Sequence, residues 1–343
     1  MGLRTVENPP NPWGGPDVDY LGEPPTAKLQ VFEDHSRSIV SKNDSPDLSF
    51  DYSVNPYRGC MHACAYCYAR PTHTFLDLGA GTDFERKIVV KPRAPALLRA
   101  VFDKPSWQGE LVLFSGVTDC YQPLEASYRV TRACMEVCAD YRNPVGIITK
   151  APLIERDIDV LKRLSERARL SISVSIPIWD RDAARVVEPG VATPQRRIET
   201  VRRLAAAGLT VGVAVAPIIP GLADADIPSI LQAAADAGAS VATPIMLRLP
   251  GVVADVFASR LRDGLPLRAE RVLSRQRDIR GGQLNDARWE RRMVGSGPHA
   301  EAILRLFRAS AQRVGLRCGG TLPPAPTTFE RPPRAGDQLG LAL

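Results

Sequence analysis

The sequence contains no apolar run of about 18 residues, the length a membrane-spanning helix needs. Its first residues, polar and rich in proline, lack the charged, apolar and small-residue succession of a secretory signal. Both absences point to a cytoplasmic protein with no membrane contact. Cysteine occurs seven times but in no even, regularly spaced framework, which argues against a disulfide scaffold and leaves metal ligation and buried thiols. Lysine is missing from residues 251–343, where 16 arginines stand against 9 acidic residues, so that stretch carries +7 while the rest of the chain sums to −1. A polyanion such as nucleic acid suits that excess. So does a solvated, self-paired helix face, because Arg271, Arg275, Arg277 and Arg280, and then Arg288, Arg291 and Arg292, alternate with Asp278, Asp286 and Glu290.

What the chain does have is concentrated in one place. Cys60, Cys64 and Cys67 fall within eight residues, inside Asn55-Pro-Tyr-Arg-Gly-Cys-Met-His-Ala-Cys-Ala-Tyr-Cys-Tyr-Ala-Arg70. Three thiolates on one short loop make a metal site. A closed zinc knot wants a fourth protein ligand, for which His62 and His73 are the candidates. An iron–sulfur cube held by only three cysteines leaves one iron open for chemistry. On spacing alone both readings stand.

The 343 residues, 44% of them hydrophobic, suffice for one large core. Residues 1–47, rich in proline and glycine, read as a loosely ordered arm. From about residue 48, short apolar runs alternate with amphipathic segments, the pattern of a parallel sheet built from βα units. Strands are expected at Ser49–Val54, Glu110–Ser115, Val145–Thr149, Leu170–Ile176, Thr210–Pro217 and Ser240–Leu247. Helices are expected at Pro95–Phe102, Ser127–Tyr141, Leu153–Arg167, Pro194–Ala207 and Ile227–Ala237. Thr193 as N-cap, Pro194 at the first helical position and Gly208 beyond the end mark the fourth. Six units are too few for a closed eight-stranded barrel. The expected fold is therefore α/β: a partial (β/α)6 TIM-like barrel over residues 48–250, a basic helical C-terminal cap over 251–317 and an extended, proline-rich tail over 318–343.

Active sites of βα barrels lie at the C-terminal ends of the strands, and the cysteine loop directly follows the first expected strand. The later strand ends leave polar residues there: Thr118, Asp119 and Cys120 after the second, Thr149-Lys150 after the third. In the fourth strand the two-residue period puts Ser171, Ser173 and Ser175 on one face and Ile172, Val174 and Ile176 on the other. Cys134 and Cys138, four apart on a helix, read as core thiols.

The C-x3-C-x2-C spacing with Tyr66 before the last cysteine resembles the signature of radical S-adenosylmethionine enzymes. From about Ser38 onward the chain resembles their spore photoproduct lyase-related branch, through Asn55-Pro-Tyr-Arg-Gly-Cys60, Ala69-Arg-Pro-Thr-His73, Thr118-Asp-x-Tyr-Gln-Pro-x-Glu125, Thr149-Lys150, Glu188-Pro-Gly, Pro194-x-x-Arg197 and Ala216-Pro-Ile-Ile-Pro-Gly-Leu222. The resemblance implies a [4Fe–4S] cluster on Cys60, Cys64 and Cys67 and S-adenosylmethionine chelated to the fourth iron. It also implies a flavodoxin- or ferredoxin-like electron donor and, because the related lyases act on DNA, nucleic acid as a substrate. Thr118 and Asp119 match positions that contact the ammonium of the methionine moiety, and Lys150 and Ser175 match those that hold its carboxylate. Tyr66 resembles the aromatic residue on the adenine side, and Tyr68 faces the hydrogen-atom traffic. One departure is plain: Val117 stands where the lyases carry a hydrogen-donating cysteine, which leaves Cys120 as the nearby candidate for a redox role. Against the enzyme stands a non-catalytic, metal-stabilised nucleic-acid-binding protein. The two differ in whether Asp119, Lys150 and Ser175 converge on the open side of the cysteine site.

Overall fold

Six parallel strands dominate the computed structural model, which describes residues 4–6, 28–48, 50–319 and 326–333. They are β1 (Tyr52–Val54), β2 (Val112–Phe114), β3 (Val145–Thr149), β4 (Leu170–Ser175), β5 (Val211–Ile218) and β6 (Val241–Met246). They pair in chain order, each parallel to the next. Parallel neighbours need a crossover, and helices supply it: α1 (Ala94–Phe102), α2 (Val130–Asp140), α3 (Ile158–Ser165), α4 (Pro194–Ala206) and α5 (Ile227–Asp236). Val40–Lys42 continues the sheet antiparallel to β1, and Arg317–Cys318 continues it parallel to β6. The two ends of this sheet are not paired to each other among the described residues, so the barrel is partial, as expected.

The strands sit within a few residues of their expected places, with Val145–Thr149 matching at both ends. Two helices differ for local reasons. The helix expected from Ser127 restarts at Val130, because Arg129 takes a left-handed conformation and the buried Glu125 carboxylate accepts the amides of Thr131 and Arg132, capping the new start. Pro152 opens a 3-10 turn before α3. Thr193 caps α4 as read, its hydroxyl accepting from the Arg196 amide at 3.1 Å, and Gly208 follows at positive φ.

The sequence reading missed a second sheet. Lys87–Val90 lies between Gln30–Glu33, parallel to it, and Tyr57–Arg58, antiparallel, with Arg4–Val6 on the outer edge. Parts of the expected N-terminal arm are thus strands, because their pairing partners lie further along the chain; residues 7–27 fall outside the described residues. Part of the expected tail, residues 326–333, lies against the barrel. Phe329 packs on Phe102 and Tyr141, and Arg331 donates to the carbonyls of Phe102, Lys104 and Trp107.

Beyond β6 come α6 (Val253–Gly264), α7 (Pro266–Asp278) and α8 (Gly297–Arg313). The first two share an apolar cluster with the cysteine loop, in which Phe257, Leu261, Val272 and Leu273 pack with Cys64, Ala65 and Tyr66. The third packs along α5 and leads into the edge strand beside β6. No helix among the described residues is long and apolar enough to cross a membrane.

Candidate active site

A cavity of about 590 Å³ opens at the C-terminal ends of the six strands. Its wall includes Cys60, Cys64 and Cys67 after β1, Thr118 and Asp119 after β2, Lys150 after β3, Ser175 at the end of β4, and Tyr66 and Tyr68 from the cysteine loop. Nine of the ten residues singled out in the sequence therefore meet at one site. The exception is Cys120. Its side chain is fully buried in the main core together with Cys134 and Cys138, on the side away from the cavity, and burial pushes its thiol well above the usual range. The polypeptide turns at Asp119 so that successive side chains point opposite ways, and a redox role for Cys120 at this cavity is withdrawn.

The cysteine loop is held by buried polar groups. Gln122 donates to the Gly59 carbonyl at 3.0 Å and accepts the Met61 amide at 3.1 Å. Arg70, fully buried, donates to the Cys64 carbonyl at 2.8 and 3.0 Å, to the Ala63 carbonyl at 3.2 Å and to Glu85 at 2.5 Å. Arg260 reaches in from α6 to the same Glu85 at 2.7 Å, tying the cap to the loop. Two glycines allow the close packing. A Cβ at Gly190 would stand 2.2 Å from the Met61 carbonyl oxygen, and Gly59, at φ +75°, would meet His73 at 2.8 Å.

The donor set fits an iron–sulfur cluster. The three thiols line one wall, and burial pushes the Cys64 pKa up to about 12, so bound metal would be what holds these sulfurs as thiolates. Cysteines on a multi-iron cluster each take a different iron, so three thiols spread along one wall suit it. Both histidines of the zinc alternative are engaged elsewhere. His73 packs on Phe84 beneath the loop with Nε2 2.9 Å from the Lys87 carbonyl, and His62 Nδ1 stands 3.4 Å from Asp119. Burial lowers the pKa of His62, leaving it neutral near pH 7.

The same cavity is lined by charged and hydroxyl groups from the ends of the later strands. Asp119 is fixed by the Lys150 amide at 2.8 Å, the Tyr121 amide at 2.9 Å and the Thr149 hydroxyl at 2.7 Å. The Lys150 ammonium lies 5.7 Å from the Tyr66 ring centroid and has no carboxylate within ion-pair distance among the described residues. Burial works against its charge, but Cys64, Glu188 and Asp119 together outweigh it, so its pKa is raised. The Ser175 hydroxyl donates to the Ala216 carbonyl at 2.8 Å, and that of Thr118 to the Tyr57 carbonyl at 3.0 Å. Both therefore turn acceptor lone pairs, not donors, toward other partners.

Behind Tyr66 runs a buried chain through Glu188 and Arg197, which the sequence segments quoted above contain without indicating that they meet. The Tyr66 hydroxyl donates to Glu188, which pairs with Arg197 at 2.6 Å, and Arg197 donates to the Ser175 carbonyl at 2.8 Å. Glu188 and Arg197 are both fully buried. The chain links the cysteine loop, α4 and β4. Sequence reading also missed Arg248 and the mouth. There Arg292 binds Asp47 and Ser45, the Glu290 amide donates to Asp47 at 2.7 Å, and Trp289 and Met293 line the rim. The pairing of residues 45–47 with 290–292 forms a strap in the cavity wall.

Comparison with known proteins agrees with this geometry. The family described as the Radical SAM superfamily matches residues 54–234. An uncharacterized protein of Mycobacterium tuberculosis, strain H37Rv, is 38% identical over 234 residues, 68% of this chain and 68% of that protein. An uncharacterized protein of Methanocaldococcus jannaschii is 26% identical over 200 residues, 58% of this chain and 72% of that protein. Among solved structures, spore photoproduct lyase complexed with dinucleoside spore photoproduct shares the fold, at a TM-score of 0.60 and 19% identity over 84% of this chain and 80% of that one. A variant of that lyase with bound AdoMet and the dinucleoside gives a TM-score of 0.61 at 18% identity, again over 84% and 80%. The barrel is thus the one that lyase uses, and the family implies S-adenosylmethionine and an iron–sulfur cluster. The match over residues 54–234 and the mycobacterial relative together establish that this chain belongs to the radical SAM superfamily and is an enzyme of that type.

Proposed function

We propose that the protein binds a [4Fe–4S] cluster through Cys60, Cys64 and Cys67 and reductively cleaves S-adenosylmethionine there. When bound, the pair supplies a 5′-deoxyadenosyl radical able to abstract hydrogen from a substrate. Lys150 would hold the carboxylate of the methionine moiety, since its ammonium, over the Tyr66 ring, has no carboxylate within ion-pair distance among the described residues. Asp119 and the lone pairs of Ser175 and Thr118 suit its ammonium, so Ser175 is reassigned from the carboxylate end to the cationic end. Tyr66, anchored through Glu188, would offer its ring face to the adenine side, and Tyr68 would stand between cofactor and substrate.

One observation carries the reading: Asp119, Lys150 and Ser175 line the same cavity as the three cysteines, which a metal-stabilised binding module has no reason to build. The electron donor would be a flavodoxin- or ferredoxin-like protein. Nucleic acid as the substrate rests on analogy with the lyase fold. The cap arginines add little to it, since Arg288 is held by Asp286 at 2.7 Å, Arg292 by Asp47, Arg268 by Asp180 and Arg262 by Glu270.

The test is anaerobic reconstitution of the full chain. It should take up about four irons and show a reducible cubane signal that changes on addition of S-adenosylmethionine. One tightly bound zinc with no iron uptake would end the proposal.

A further inference from the structure

Arg248 stands apart from the other arginines around the cavity. It follows β6 and lines the cavity, with its guanidinium 5.6 Å from the Tyr68 ring centroid. Tyr68 follows Cys67, so the cation is one side chain away from the cysteine wall. Among the described residues its one hydrogen-bond partner is the weak acceptor Met293 Sδ, at 3.6 Å from Nη1. Among the described residues no carboxylate comes within ion-pair distance of it, whereas Arg292, which also lines the cavity, has Asp47. Burial, and then the charge of Arg292, lower its pKa, with Tyr68 and Asp47 acting the other way; a guanidinium nonetheless stays charged at neutral pH. A half-buried cation with nearly all of its five donors unspent is costly unless an anion completes it.

The strapped cavity limits what can carry that anion. Residues 45–47 are paired with 290–292 in its wall, and Trp289, half-exposed, lines the cavity beside them. A cavity near 590 Å³ lies within the range that holds one drug-sized ligand, about 300–1,000 Å³. A cavity of that size suits a small molecule beside S-adenosylmethionine better than a stacked duplex.

We propose that Arg248 is a substrate-binding residue that anchors an oxyanion, phosphate or carboxylate, of a small-molecule substrate beside Tyr68. This rests on the reaction proposed above and names the chemical class of its substrate. Nothing in it requires Arg248 to touch S-adenosylmethionine.

The reconstituted full chain is titrated calorimetrically with phenyl phosphate, phenylacetate and, as the uncharged control, benzyl alcohol. One of the two anions should bind and the alcohol should not; phosphate preference and carboxylate preference identify the two sources of the oxyanion. Arg248→Met, which keeps the apolar stem, should weaken the preferred anion by about 10-fold to 100-fold, and Arg248→Lys, a point charge without the fork, by less. Anion binding unchanged in Arg248→Met, or no binding of either anion to the parent, overturns the proposal. So does competition by S-adenosylmethionine for the phenyl phosphate site together with a loss of its own affinity in Arg248→Met, which would assign the residue to the cofactor. Cleavage of S-adenosylmethionine by the parent protein is measured separately. Cleavage without anion binding refutes this inference alone, and anion binding without cleavage refutes the proposed function alone.

Discussion

Arg197→Met tests whether the buried chain behind Tyr66 is a structural strut. In the parent, Arg197 gives one nitrogen to Glu188 at 2.6 Å and another to the Ser175 carbonyl at 2.8 Å, and neither charged side chain is exposed. Methionine fills much of the volume but leaves the Glu188 carboxylate with only the Tyr66 hydroxyl, in a place water does not reach. Breaking a buried pair by removing one partner costs about 3–5 kcal/mol, against a total stability of about 5–15 kcal/mol. With a urea dependence of about 3 kcal/mol per molar, a loss near 4 kcal/mol lowers the denaturation midpoint by about 1.3 M. The double variant Arg197→Met, Glu188→Leu removes the stranded charge as well and should recover at least half of the loss, short of all of it because the Tyr66 hydroxyl then lacks an acceptor. Urea melts of the parent, both single variants and the double variant complete the cycle. A loss under about 1 kcal/mol in Arg197→Met, or a double variant no better than the sum of its singles, would refute the account of this pair.

Lys150→Ala and Asp119→Ala should retain iron after reconstitution yet lose most cleavage of S-adenosylmethionine, whereas Cys64→Ala should lose iron; cleavage at the parent rate in both pocket variants would show the ligand placement to be wrong. Gly190→Ala drives a Cβ to 2.2 Å from the Met61 carbonyl oxygen, so the cysteine loop must shift, and iron retention measured after desalting should fall while far-ultraviolet circular dichroism stays unchanged. At the mouth, burial pushes the Asp47 pKa up, but the Glu290 amide and Arg292 outweigh it and hold it below the ordinary 3.8. The Asp47 contribution to the strap is thus complete above that value and is lost as pH falls through the lower folded value. Hydrogen exchange at Glu290, corrected for its intrinsic rate, should be flat from neutral pH to about 4 in the parent and faster throughout in Asp47→Asn. Equal protection in the two proteins would dismiss the strap.

Legibility followed the range of the interaction. The βα units could be read because each depends on patterns a few residues long: Thr193, Pro194 and Gly208 bracket α4, and the alternation in β4 sends its serines to the cavity and its isoleucine and valine to the core. The second sheet could not be read so, since Gln30–Glu33 is a strand only because Lys87–Val90 comes to lie beside it. Cys120 became a candidate only as the thiol nearest Val117 and Asp119, and adjacency along the chain does not tell that its side chain is buried in the core while that of Asp119 lines the cavity.

The sequence by itself determined the cysteine triad, the six-unit barrel and the polar residues at its strand ends, because spacing and periodicity are local properties of a chain. Only the tertiary structure decided which of those groups already have partners. Burial and distance in three dimensions commit Glu188 to Tyr66 and Arg197, turn the Ser175 hydroxyl to Ala216, and pair Arg292 with Asp47 across a separation of 245 residues. The same long-range packing leaves Lys150 and Arg248 in the cavity without a carboxylate among the described residues. A charge acts on a ligand only where the fold has not already neutralised it, and composition alone cannot register that difference.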